Sequence, residues 1–187
     1  MSKKYIKKES GYTIIETMIA VSLFIIIVMA GMGALLNANL LHNKSQNMRS
    51  IIDNLSFVLE DMSKNLRVGS NYYCILGGQI PDDVVDTNNC PGGGAGISFK
   101  SGYDDSQWVY YWNNDKIFRK IDDADSIQMT PEEIDIENLS FIVTGAESPP
   151  DPNQPFVTIK LAGTITYKDI ETPFSLQTSV SQRMIDR

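Results

Sequence analysis

Histidine occurs once in this 187-residue chain, at His42, and cysteine only twice, at Cys74 and Cys90. That scarcity argues against a histidine-rich metal centre, and neither cysteine has a neighbouring histidine to activate it as a nucleophile. No proline precedes Pro81, and no glycine lies between Gly33 and Gly69. The two residue types that most often interrupt a helix are therefore missing where a long one would need them to be. Basic residues are outnumbered, 16 Lys and Arg against 23 Asp and Glu, for a net charge of −7. Lys3, Lys4, Lys7 and Lys8 against Glu9 give the first eleven residues a net +3, so the remainder is −10. Such a body lacks the clustered cations that neutralise phosphates, and no nucleic-acid partner is expected.

Charge is also absent from Met18 to Leu36, where MIAVSLFIIIVMAGMGALL is polar only at Ser22. These roughly 19 residues approach the ~20 needed to cross a bilayer. Lysines flanking a first span stay in the cytoplasm, so the C-terminal body is expected outside. A cleaved secretory signal has a shorter apolar core, with its small-residue cleavage site after that core. An ordinary anchor explains the lysines and the span, but not Glu16, a carboxylate just inside the apolar run. An ionisable group at that depth is costly, and its default reading is a function with a partner.

The helical pattern continues past the span. Met48, Ile51, Ile52, Leu55, Val58, Leu59, Met62 and Leu66 recur at three- and four-residue steps, an amphipathic stripe. The stripe does not hold the strict heptad of a coiled coil. Gly69 is the stop signal, with Arg67 in the last turn. The helix is expected from about residue 13 to about residue 67, on the order of 80 Å in length.

Residues 69 to 98 read as loop, broken by Gly69, Gly77, Gly78, Pro81, Pro91 and Gly92-Gly93-Gly94. The run GGGAG lacks the Lys-Ser/Thr of a phosphate loop and reads as a flexible connection. Cys74 and Cys90 flank this stretch. In an exported head they would form a disulfide, worth roughly 3 kcal/mol for a loop of that size, with two free thiols as the alternative. Residues 107–112 and 116–121 read as a hairpin across Asn113-Asn114-Asp115. Residues 134–143 alternate around a break at Glu137-Asn138. Residues 156–167 read as a long strand, paired with 174–180 across a turn at 168–173. The fold expected is α+β, one long N-terminal helix packed on an antiparallel sheet.

The leading arrangement Lys3-Lys4…Lys7-Lys8, Gly11-Tyr12-Thr13-Ile14-Ile15-Glu16 and the apolar helix resembles the N-terminus of type IV prepilins and type II secretion pseudopilins. The resemblance covers about residues 3 to 40. It implies a leader peptide, residues 1–11, cut between Gly11 and Tyr12 by a prepilin peptidase on the cytoplasmic side. It implies N-methylation of Tyr12, where most members carry Phe or Met. Glu16 matches the glutamate that neutralises the N-terminal amine of a neighbouring subunit, a pairing that makes two buried charges tolerable. Residues 12–37 would be the transmembrane and filament-core helix, 38–68 its amphipathic half, and 69–187 an extracytoplasmic head. The partners implied are other pilin or pseudopilin subunits, an assembly platform in the bacterial inner membrane, and lipid before assembly. The protein would be single-pass there before entering a pilus or pseudopilus. The segments IIDNLSFVLEDMSKNLRVGS and FVTIKLAGTITYKD…FSLQTSVSQR are similar to minor subunits of the J and W types.

No cofactor and no catalytic residue is expected. The acidic runs Asp82-Asp83…Asp86, Asp104-Asp105 and Asp122-Asp123…Asp125 lack the spacing of a calcium loop and read as solvated loops. Trp108, Tyr110, Tyr111 and Trp112 offer a binding surface, but alternation puts half of them in a core. The competing functional class is a membrane-anchored exported binding domain with no filament role.

Overall fold

The computed structural model describes residues 11–77, 86–147, 153–167 and 170–183. The lysine leader, Asp82-Asp83, Gly78, Pro81 and the first two residues, 168–169, of the turn expected at 168–173 lie outside the described residues. The chain divides into two units, Met1–Gln46 and Asn47–Arg187. One helix, α1 (Ile14–Val68), contributes to both.

α1 starts where Thr13 caps it. The Thr13 Oγ1 accepts from the Glu16 backbone N–H at 3.4 Å, and Glu16 places a carboxylate in the first turn, toward the positive end of the helix dipole. In the first unit the described helix packs on nothing. Its 18-residue apolar window is wholly exposed, and it is long and apolar enough to cross a membrane.

The second unit is the head. Of the stripe read from the sequence, Ile51, Leu55, Val58, Met62 and Leu66 are buried in a single apolar cluster with residues of both sheets and Met48 and Leu59 pack against it half-buried, whereas Ile52 is exposed. α1 ends at Gly69, whose N–H still donates to Asn65 O at 3.0 Å. A side chain there would collide with the Phe99 ring at 2.4 Å, so packing requires glycine at this position. The last carbonyls are satisfied from elsewhere in the head. Tyr72 Oη donates to Leu66 O and Gly69 O, Arg183 N donates to Arg67 O at 2.8 Å, and Gln182 Nε2 donates to Gly69 O at 3.0 Å.

The head holds two antiparallel sheets where the sequence suggested one. The strands are β1 (Ser70–Ile75), β2 (Cys90–Gly94), β3 (Gly96–Lys100), β4 (Gln107–Asn113), β5 (Lys116–Ile121), β6 (Ile127–Gln128), β7 (Ile134–Thr144), β8 (Phe156–Tyr167) and β9 (Ile170–Ser181). Their orders are β1-β3-β4-β5-β6 and β2-β7-β8-β9. The first three strands fall in the stretch expected to be loop. The glycines there mark close approach, not freedom. A Cβ on Gly94 would meet Cys74 Sγ at 2.5 Å and Ile75 O at 2.6 Å, and one on Gly96 would meet Tyr110 O at 3.0 Å. GGGAG is thus not a flexible connection; Gly94 pairs with Phe141 as Cys90 pairs with Val143.

The β4–β5 hairpin forms as expected. Its two-residue turn Asn114-Asp115 has φ of 46° and 59°, the type I′ geometry that Asn and Asp tolerate. The break at Glu137-Asn138 is a register shift inside β7. β9 begins at Ile170, earlier than expected, because Pro173 sits on an edge strand where no ladder donor is lost.

Candidate functional site

Gly11 and Tyr12 precede the first turn of α1 and are exposed, Tyr12 at 83%. A side chain on Gly11 would meet nothing within 4 Å. Glu16 is exposed, and among the described residues no cation pairs with it. Around it Ile14, Ile15, Met18 and Ile19 are also exposed, from 56% to 81%. Each such side chain is worth about 1.5–3 kcal/mol when taken out of water. An exposed apolar surface of this extent marks a membrane or protein interaction site. In either setting the Glu16 carboxyl has no cationic partner among the described residues.

The two cysteines are joined. Cys74 and Cys90 form a disulfide with Cα atoms 5.9 Å apart. Cys74 lies in β1 of the first sheet and Cys90 in β2 of the second. The bond therefore ties the two sheets together where both sulfurs are buried. The sequence separation gave the closed loop but not this role as an inter-sheet tie.

A polar junction joins α1 to the five-stranded sheet inside the head. The Asp61 carboxylate accepts from Tyr110 Oη at 3.3 Å and from an Arg119 guanidinium nitrogen at 3.4 Å. Asn65 Nδ2 donates to Tyr110 Oη at 3.0 Å. The Arg119 guanidinium lies 5.1 Å from the Trp108 ring centroid. Burial, then the charge of Asp61, pushes the Tyr110 phenol well above its ordinary value. The sequence carried no sign of this junction, since Asp61 and Arg119 lie 58 residues apart.

The aromatic run divides by the period of the strand. Tyr110 is fully buried, Trp108 and Trp112 pack against the core, and Trp112 Nε1 donates to Ile136 O at 2.9 Å. Tyr111 points to the other face and stacks on Phe118, ring centroids 5.5 Å apart. The acidic residues that are described act locally. Asp104 accepts from Ser106 Oγ at 2.6 Å and from Ser106 N at 3.2 Å, and its pKa is lowered, first by the Ser106 hydroxyl and then by Ser101. Asp122 Oδ1 accepts from Gln107 N at 2.7 Å. Among the described residues no group of three or more His, Cys, Asp or Glu is placed to hold a metal ion. His42 shares a hydrogen bond with Gln46 Nε2 at 3.0 Å on the exposed helix.

An open cleft of about 450 Å³ lies between the β2 and β7 ends. Its polar groups are partly occupied with one another: Asn89 donates to Glu147 Oε1 at 2.8 Å and accepts from Ala146 N at 2.9 Å. The feature of the described residues that stands out chemically is the exposed apolar helix with Glu16 in its first turn. No protein family, no curated protein and no solved structure matches this chain.

Proposed function

We propose that this chain is a structural and assembly subunit of a type IV pilus-like or type II secretion filament, of the minor kind. The observation that carries the reading is the exposed apolar first half of α1, with Glu16 in its first turn and no cation paired to it among the described residues, together with a disulfide-tied head. In this reading a peptidase removes residues 1–11 at the cytoplasmic face. The cut after Gly11 creates a new amine on Tyr12, which is then methylated. That amine is the cation that Glu16 lacks among the described residues. In the bilayer the helix is solvated by lipid. In the filament it is packed among like helices, and the amine of one subunit meets the carboxylate of the next. Burying either charge without the other is strongly destabilising, whereas the pair is tolerated, so the contact sets the register of addition. The head, on the far side of the membrane, travels with the helix as cargo and as surface.

Glu16→Ala tests the pairing. The variant is expected to insert in the membrane normally and to fail to enter filaments. Normal co-assembly of Glu16→Ala would overturn the pairing role, and a head that works while never leaving the membrane would favour an anchored binding domain.

A further inference from the structure

β9 closes the four-stranded sheet, and among the described residues no strand lies on its far side. Its register with β8 runs unbroken from Phe156↔Ser181 to Tyr167↔Ile170. In such a ladder successive residues alternate between bonding to the neighbour and facing away. Two observations assign the alternation. Gln182 N donates to Pro155 O at 3.0 Å, one step beyond the Phe156↔Ser181 pair, so even-numbered residues bond toward β8. Pro173, which has no N–H, falls in the odd-numbered set, where its nitrogen faces the open edge.

The free edge therefore presents the N–H and C=O groups of Ser175, Gln177, Ser179 and Ser181, and all four side chains are exposed. From Ser175 to Ser181 there is neither a charge nor a proline. Sheets normally blunt a long edge with lysine, proline or a bulge. β9 has only Glu171 and Pro173, both near its start. On the core-facing side, Phe174, Leu176 and Thr178 are only half-buried, so the row they form is incompletely covered.

We propose that Ser175–Ser181 is a strand-addition site whose occupant is the same strand of a second copy, paired antiparallel about Thr178. The stretch is complementary to itself in that register. Ser175 faces Ser181 of the second copy and Gln177 faces Ser179, and these are the residues whose backbone groups point outward. Leu176 meets Val180 on the core-facing side, extending the half-covered apolar row. No like charges meet, and Pro173 stays outside the paired zone. Registers centred nearer the start of β9 bring Pro173 into the ladder and lose a donor. The contact belongs to the head and does not depend on leader processing or on Glu16.

Thr178→Cys in the full-length chain, in membranes, tests the pairing, because Cys74 and Cys90 are already joined. Residues directly opposite at a non-hydrogen-bonded position have Cα atoms about 4.5 Å apart, within reach of a disulfide. Mild oxidation is expected to give a disulfide-linked homodimer at least about tenfold faster than for Thr166→Cys on the exposed face of β8, as an effective-concentration effect. Adding Gln177→Pro removes an edge donor while leaving the bonds to β8, and the dimer is expected to be lost. Gln177→Lys, which keeps the backbone intact and sets like charges near the dyad, is expected to lose it too. Equal rates for the two cysteine variants would overturn the proposal. So would a dimer that survives both Gln177 changes, or a cross-link formed to a different protein instead.

Discussion

Breaking the Cys74–Cys90 bond should loosen the head at the junction of its two sheets. The bond closes a loop over a sequence separation of 16. In the chain-entropy model a loop of that length is worth about 3 kcal/mol at 25 °C, through restriction of the unfolded chain. Both cysteines are almost wholly buried, at 1% and 2% exposure, so replacing them with alanine removes packed sulfur as well. The bond is also the covalent link between β1 and β2, which belong to different sheets. For a head of this size, about 3 kcal/mol corresponds to a fall in melting temperature of roughly 10 °C. The assay is thermal unfolding of the full chain in detergent, followed by near-ultraviolet circular dichroism. The wild type is compared with and without reductant, and with the Cys74→Ala/Cys90→Ala variant, the bond's state being confirmed by mass. Amide exchange should speed up first in β2, whose other tie is its short ladder to β7. A fall of less than about 2 °C with the bond demonstrably broken would refute the reasoning, because the loop term alone exceeds that.

Two further outcomes follow from other parts of the chain. Gly11→Trp should leave the head's melting temperature unchanged, since nothing lies within 4 Å of a side chain at that position, while uncut precursor accumulates in the membrane; efficient cleavage of the variant would count against a glycine-directed cut. Tyr110 gives a pH signature with a definite sign. Its folded pKa is raised, so the stability it contributes is fully present below the ordinary phenol value of about 10 and is lost as pH rises above it. Denaturant titrations should show a shallower alkaline loss of stability for Tyr110→Phe than for the wild type, and parallel curves would contradict the buried junction with Asp61.

Long-range order in this chain follows period where period is clean. α1 was legible because proline is absent and the apolar stripe from Met48 to Leu66 repeats at helical steps. β8 was legible because its alternation is strict, and the β4–β5 turn because Asn114 and Asp115 adopt positive φ readily. The first three strands were not. Glycine carries two meanings, a flexible break or a place where another backbone or sulfur comes close, and at Gly94 the second applies. The split into two sheets depends on which strand neighbours which, and no local pattern encodes that. The junction of Asp61, Asn65, Tyr110 and Arg119 was hidden for the same reason. Glu16 is the opposite case. Its place in the first turn was readable from the residues alone, whereas the charge it is proposed to meet belongs to another molecule.

Intact-mass measurement of the protein recovered from membranes addresses that proposal at its root. The account predicts a chain shortened by residues 1–11 and carrying one added methyl on the new N-terminal Tyr12. A full-length chain with an unmodified leader, in cells that process such precursors, would contradict it.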